Sequence, residues 1–351
     1  MKKTITTSIL VAVLGFTATT ANAKSWRINN DVTKKADFVD INAAMSSDDV
    51  QAGDTLYLDP GCSISSQQTV NKQVTIVGPG YFRNDSPHRF AYLTQNVNLV
   101  APNIKIEGVS IIGNSNLCLG ANNVTVERCY VNGNIKIGWK NISNYSTAQN
   151  AIIRQCYIQG KINGRGNSSN ESGFSTIENC LIVHQNYDHG IEGLYATTIQ
   201  NNCIKLTYNA GIYPLYSINN GQITNNIMIH TTKNNQVFYS VSNSIINNNV
   251  LSCAEETYAG YIGDNKFLNS GDDSQVFKLE GTYDQQYQLK DNSPAKGYAT
   301  DGGDCGHTGG TYPYVISGLP AGYPYYTKAI IDTRAKDGKI NVSLNIKMQN
   351  E

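Results

Sequence analysis

The stretch IQNNCI at 199–204 sets two asparagines between isoleucines that a strand would bury. The same six-residue shape recurs as IEGVSI (106–111), VERCYV (126–131), IRQCYI (153–158), IENCLI (177–182), ITNNIM (223–228) and INNNVL (246–251). The block starts are separated by 20, 27, 24, 22, 24 and 23 residues. Short β-type blocks at a period of this size mark a solenoid, in which each repeat buries its apolar side only against its neighbours. A leucine-rich repeat would need a fixed leucine ladder, which is absent, and no interval shows sustained helical periodicity. Each interval instead holds short apolar runs split by Asn, Gly and Ser, as in GIEGLYATTIQNNCIKLTYNA with runs at 191–195, 197–199 and 203–207. Three short strands per coil define a right-handed parallel β-helix, all-β and single-stranded, of roughly ten coils.

The asparagines follow from that geometry. The first and sixth residues of each block are apolar and point inward. Alternation fails between them, so the chain bends near the third position and the fourth points inward. That column reads Val109, Cys129, Cys156, Cys180, Asn202, Asn226, Asn249. Coils stack at the strand spacing of about 4.8 Å, close enough for identical amides to hydrogen-bond as a ladder. Each amide then satisfies the next, which removes most of the cost of burying it. The three cysteines of the column read as core filler.

The chain has 351 residues, 15% charged and 40% hydrophobic, with formal net charge zero. Zero net charge argues against nucleic acid as the main partner. Residues 1–23, MKKTITTSILVAVLGFTATTANA, carry a basic start, a short apolar run and a small-residue ANA cleavage site, the pattern of a secretory signal. The apolar run is too short to span a bilayer. The expected protein is therefore secreted, periplasmic or held at the cell surface, without membrane insertion. Eight cysteines are present and match no zinc spacing; a disulfide through Cys253 or Cys305 is compatible with export.

Three segments follow: the signal at 1–23, the β-helix with its N-terminal cap at 24–300, and an irregular stretch with a β-hairpin at 301–351. Solenoid ends must be covered. Residues 36–48 place Phe38, Ile41 and Met45 on one helical face and predict an N-terminal capping helix. IGDNKF (262–267) mimics the block too soon after the last one, so regular winding is expected to stop there. Asp337-Gly338 signals a hairpin whose Ile340, Val342, Leu344, Ile346 and Met348 share one face, expected to close the C-terminal end or dock on the flank.

GDTLYLDPG (53–61), VTIVGPG (74–80), the Ile-x-Asn-Asn blocks and SPAKGYATDGGDCGHTGG (293–310) resemble the pectin-lyase-like superfamily of exported bacterial β-helix proteins, over nearly the whole mature chain. That fold hosts lyases, hydrolases, esterases, adhesins and non-enzymes, so the resemblance speaks to architecture more than chemistry. Against the polygalacturonase motifs only DHGI (188–191) is faintly similar, and Asp272-Asp273 lies outside the regular coils. The calcium-binding Asp cluster of classical pectate lyases is absent, so no cofactor is expected and Ca²⁺ is not indicated. GDDS (271–274) reads as a turn before it reads as a metal loop.

The strand before each block supplies the face where ligands of this fold lie. With Ile135, Ile162, Ile191, Ile212 and Val237 inward, the outward neighbours are Lys136, Asn163, Glu192, Tyr213 and Phe238. An acidic polysaccharide fits this face. Lys161, Arg165 and His189 could neutralise a uronate carboxylate and remove its α-proton for β-elimination. Hydrolysis would need two carboxylates, and Asp188 with Glu192 is the close acidic pair. Lys161, Arg165, His189 and Glu192 are thus the catalytic candidates. With 22 Tyr and only 2 Trp, sugar stacking falls to Trp139, Tyr195, Tyr213 and Tyr216, beside Lys136. The competing reading makes these ordinary strand residues on a solvated face. Two functions stand side by side: a protein that binds and cleaves an acidic polysaccharide, and a non-catalytic surface, adhesive or glycan-binding scaffold.

Overall fold

The computed structural model describes residues 23–82, 90–165, 172–207, 211–231, 236–255, 263–319, 324–331, 334–335 and 337–348. The segment 1–23, expected to be a secretory signal, thus lies outside the described residues apart from Ala23. Three parallel sheets of ten strands each form the walls of a β-solenoid. Sheet A stacks the strands that open each block, from Ser25–Ile28 and Thr55–Leu58 up to Ile245–Asn247. Sheet B stacks the strands that close each block, from Ser63–Ile64 to Lys266–Phe267. Sheet C holds the strands between blocks, including Ile135–Ile137, Ile162–Asn163, Ile191–Tyr195, Leu215–Asn219 and Phe238–Ser242.

Register is set by the inward columns. Ile106, Val126, Ile153, Ile177, Ile199, Ile223 and Ile246 lie one above another in sheet A, and all are buried. A one-residue slip would turn the whole column to solvent, so burial specifies the pairing.

The bend expected at the third position is a left-handed residue in every block. Gly108, Arg128, Gln155, Asn179, Asn201, Asn225 and Asn248 have φ between 49° and 65°. A second left-handed corner lies three residues ahead of each block, at Asn103, Asn123, Asn150, Phe174, Ala196, Asn220 and Asn243. Asparagine tolerates this region better than other side-chain-bearing residues, which accounts for much of its abundance here.

The fourth-position column is fully buried from Val109 to Asn249. Asn202 Nδ2 donates to Asn226 Oδ1 at 3.0 Å, and Asn226 Nδ2 to Asn249 Oδ1 at 2.9 Å. The ladder gains a further rung at Asn265, whose Oδ1 accepts from Asn249 Nδ2 at 2.9 Å. Each amide also donates to the carbonyl of the first-position residue one coil below: Asn202 to Ile177, Asn226 to Ile199, Asn249 to Ile223. The cysteines are more than filler. Cys129, Cys156 and Cys180 point their thiols at the equivalent carbonyls of Ile106, Val126 and Ile153, at 3.5–3.7 Å. A thiol is a weak donor, so it repeats the amide's bond in weaker form.

Three expectations need correction. The regular turns number about seven rather than ten. A capping helix over 36–48 is not formed: the helix is the six-residue Ile41–Ser46, with Asp40 as its N-cap. Phe38 instead bridges Ile28 as extended chain, while Asn42 hydrogen-bonds Gln67, Gln68 and Thr69 along sheet C. All eight cysteines, Cys253 and Cys305 included, are buried and unpaired. The hairpin strands Pro324–Ile331 and Val342–Met348 pair with each other as a separate two-stranded sheet, leaving Ile340, Val342, Leu344 and Ile346 exposed. The last solenoid strand, Lys266–Phe267, ends where the IGDNKF segment predicts, short of 300.

Beyond that strand the chain turns back along the outside of sheet B. The fifth-position residues Tyr157, Leu181, Cys203, Ile227 and Val250 face outward there. They are buried with Val276, Phe277, Tyr287, Leu289, Ala295, Cys305 and Tyr314 in a second core. The left-handed third-position side chains tie the covering segment down. Asn179 Nδ2 donates to the His307 and Gly309 carbonyls, Asn225 pairs with Thr300, and Asn248 donates to the Tyr298 carbonyl.

Two outcomes follow from this packing. Asn226→Leu breaks the ladder at its centre and overfills the corner, and should lower unfolding free energy by about 2 kcal/mol; an unchanged melting temperature would remove the ladder from the stability argument. His307 is buried, and burial holds its pKa down at about 3, so it folds neutral. Stability from this group is present above the ordinary histidine value near 6.5 and is lost as pH falls from there towards 3. His307→Leu should therefore flatten melting temperature against pH in that window; an unaltered slope would place the acid sensitivity elsewhere.

Candidate functional site

Three strands of sheet C present the outward column Glu192, Tyr216, Tyr239, in direct register. Each strand carries a small left-handed residue next in sequence: Gly193, Ser217 and Ser240, with φ of 67°, 53° and 56°. That residue kinks the strand and resets which side chains face outward beyond it. Below Glu192 the column continues through Asn163 and Lys136.

The register corrects the sequence reading at two coils. Leu215 and Phe238, not Ile212 and Val237, pair in line with Ile191. The outward residues are therefore Tyr216 and Tyr239, and Phe238 is buried. Ile-Glu-Gly, Leu-Tyr-Ser and Phe-Tyr-Ser are the matching triplets, and their shared small third residue was the available signal.

Lys161 stands at the centre of the charged group. Its Nζ is 2.7 Å from Asp188 Oδ1 and 2.9 Å from Glu192 Oε1. Burial alone would lower the Lys161 pKa, but the hydrogen bonds and charges of Asp188 and Glu192 outweigh it and raise it. Lys161 is thus held as an ammonium and cannot take a proton. His189 Nδ1 accepts the Tyr213 backbone N–H at 3.0 Å, so in the neutral ring the proton sits on Nε2, which lies 3.9 Å from Glu192 Oε2. Burial, aided by Lys161, lowers the His189 pKa against the pull of the two carboxylates. The imidazole is neutral with its basic lone pair already occupied.

The aromatic groups gather on the same coils. The His189 ring stacks on Tyr216 with centroids 4.1 Å apart and planes 3° off parallel. Tyr216 lies parallel to Tyr239 at 5.8 Å, and Tyr213 stacks on Tyr239 at 5.0 Å. Tyr213 reaches this group from the preceding loop. Because the ring faces are turned to one another, the surface offers ring edges and phenol hydroxyls together with the exposed Tyr239.

The other expected residues form separate groups. The Lys136 ammonium sits 4.5 Å from the Trp139 ring centroid, and the Arg165 guanidinium 4.3 Å from that of Tyr145. Trp139 and Tyr145 meet edge to face at 4.3 Å. Tyr195 lies beyond the Gly193 kink against Phe174, at 5.9 Å. The structure thus joins Lys161, His189, Glu192, Tyr213 and Tyr216 with Asp188 and adds Tyr239. It sets Lys136, Trp139 and Arg165 with Tyr145, and leaves Tyr195 to one side. Among the described residues no three His, Cys, Asp or Glu side chains converge as a metal-holding group, and Asp272 caps a short 3-10 turn at Asp273–Gln275. No described helix is long and apolar enough to cross a membrane.

No family model matches the chain, and no curated protein matches its sequence. Among solved structures it is similar to a PL6 family polysaccharide lyase from Pseudopedobacter saltans, with 11% sequence identity and a TM-score of 0.30. That match covers 77% of this chain and 99% of the other.

Lys161→Met leaves Asp188 and Glu192 facing each other without their cation. It should cost about 1 kcal/mol at pH 7, and because the two carboxylates raise the Lys161 pKa, the deficit should close as pH rises past the lysine range and the native ammonium loses its proton. A deficit that persists at high pH would mean that Lys161 contributes through packing alone.

Proposed function

We propose that this protein is an exported polysaccharide-binding β-solenoid that holds a glycan along the outer face of sheet C. The observation that carries the reading is the axial column Glu192–Tyr216–Tyr239, flanked by Lys161, His189 and Tyr213. It sets hydrogen-bonding groups at the coil spacing of about 4.8 Å on a rigid wall, which suits an extended ligand with many hydroxyls. Tyrosine supplies an apolar body and a polar tip at low entropic cost, a combination that favours sugar surfaces. Uronate carboxylates would sit towards Lys136 and Arg165, since the Asp188–Glu192 end is already rich in negative charge. Export rests on the signal pattern at 1–23.

Binding is favoured over β-elimination. Elimination requires a base with an open lone pair beside the α-proton. On this face Lys161 is held protonated and His189 Nδ1 is occupied. The two carboxylates that hydrolysis would divide into acid and base are both engaged by one ammonium.

Calorimetry against polygalacturonate, alginate and a neutral glucan tests this, with ultraviolet absorbance and reducing-end assays run alongside. Saturable binding to an acidic chain without new double bonds or reducing ends is expected, and Tyr216→Ala should weaken it about tenfold. Failure of all three glycans to bind removes the reading, and accumulation of unsaturated product replaces it with a lyase.

A further inference from the structure

We infer that a second binding site, shaped for a single phenolic ring, lies on the outer face of sheet B near the N-terminal coils. The outward column of that sheet runs Tyr92, Ser110, Tyr130, Tyr157 in direct register. Ser110 is the small residue between two tyrosines, and it leaves a gap in that row of rings. Over the gap lies a cavity of about 230 Å³ whose walls are Phe82, Phe90, Tyr92, Tyr130 and Tyr283, with Ser110 lining it from the strand. A dry cavity of about 150 Å³ already admits benzene, so one substituted ring fits.

The polar inventory selects the ligand. Ser110 is 1% exposed, and its hydroxyl has no hydrogen-bond partner among the described residues. A buried hydroxyl left unpaired is costly and calls for a partner. Of the tyrosine hydroxyls around the cavity, Tyr130 donates to Gln159 Oε1 at 2.6 Å and Tyr81 shares a 2.7 Å bond with Tyr314, which leaves those of Tyr92 and Tyr283. A sugar ring would leave most of its hydroxyls unmatched here, whereas a phenol presents one polar group and an aromatic body. The rim is built for a ring as well. Phe82 and Tyr283 stack at 4.3 Å with planes 7° apart, and both hold left-handed backbone, with φ of 52° and 53°. Aromatic residues rarely adopt that conformation, and it persists only where surrounding packing imposes it. The covering segment and the early coils therefore meet here in one arrangement of rings, on a different wall from the sheet C face.

The test is calorimetry and thermal shift on the full chain with p-cresol, toluene and methyl glucoside. One-to-one saturable binding of p-cresol is expected, with toluene about tenfold weaker for want of the hydroxyl and methyl glucoside not competing. Ser110→Ala should keep toluene binding and erase the preference for p-cresol. Ser110→Phe fills the gap with a ring in a column that already carries them, and should abolish both. If Ser110→Phe does not fold, the preference lost or kept in Ser110→Ala decides alone. N-acetyltyrosinamide bound as tightly as p-cresol assigns the site to a tyrosine side chain of a partner, and weaker binding assigns it to a free phenol. Absence of p-cresol binding, a preference unchanged in Ser110→Ala, binding retained in folded Ser110→Phe, or displacement by methyl glucoside overturns the inference.

Discussion

The structure depends on one repeated hydrogen bond: from Cys129 to Asn249, a buried donor at the fourth position of each block reaches down to the first-position carbonyl of the coil below. The corner that makes this reach possible is a left-handed residue, which turns the following side chain inward where simple alternation would send it out. Once inside, a polar group must be fully paired, because an unpaired amide loses its water without compensation. The ladder meets that demand. Asn226, for example, donates to Ile199, Thr224 and Asn249, and its oxygen accepts from the backbone and side chain of Asn202. Each amide therefore fixes both the height and the lateral position of the next coil.

The column changes chemistry along the solenoid. Asparagines hold the C-terminal coils and cysteines the middle ones, with thiols aimed at the equivalent carbonyls. Burial raises the pKa of Cys129 and Cys156 well above the ordinary thiol range, so these are unreactive packing groups despite their number. The same corners serve the outside. Because the third-position residue is left-handed, its side chain leaves the wall, and Asn179, Asn225 and Asn248 use that direction to bind the returning C-terminal segment. Inner ladder and outer cover are two consequences of one backbone turn.

That cover makes the three walls unequal. Sheet B is sealed over most of its length by the segment carrying Phe277, Tyr287 and Tyr314, with the aromatic cavity at the near end of the cover. Sheet C keeps its outward column partly exposed, and there the chain gathers His189, Tyr213, Tyr216 and Tyr239 beside the Lys161 ion pairs. Chemistry on that wall is governed by how its groups occupy one another. Lys161 is committed to two carboxylates and His189 to a backbone N–H, an arrangement that orders a binding surface and leaves little free basicity.

The sequence by itself determined the solenoid, its inward columns, the bend at each third position and the asparagine ladder, because these recur once per coil and each recurrence repeats the same local physics. It placed Lys136, Trp139, Lys161, Arg165, His189, Glu192, Tyr195, Tyr213 and Tyr216 on one face, of which Lys161, His189, Glu192, Tyr213 and Tyr216 come together. It misplaced Tyr239 and Phe238, since the outward register of sheet C depends on small kinked residues and unequal loop lengths that shift each coil against the last. It treated Cys129 as filler, since the donor role of a thiol shows only when the carbonyl below it is located. The apolar drift of the fifth position, from Ser110 to Ile227 and Val250, was visible but had no local explanation. Only the tertiary structure decided it, by bringing residues distant in the chain across sheet B, and such contacts leave no period in the sequence for a reader to find.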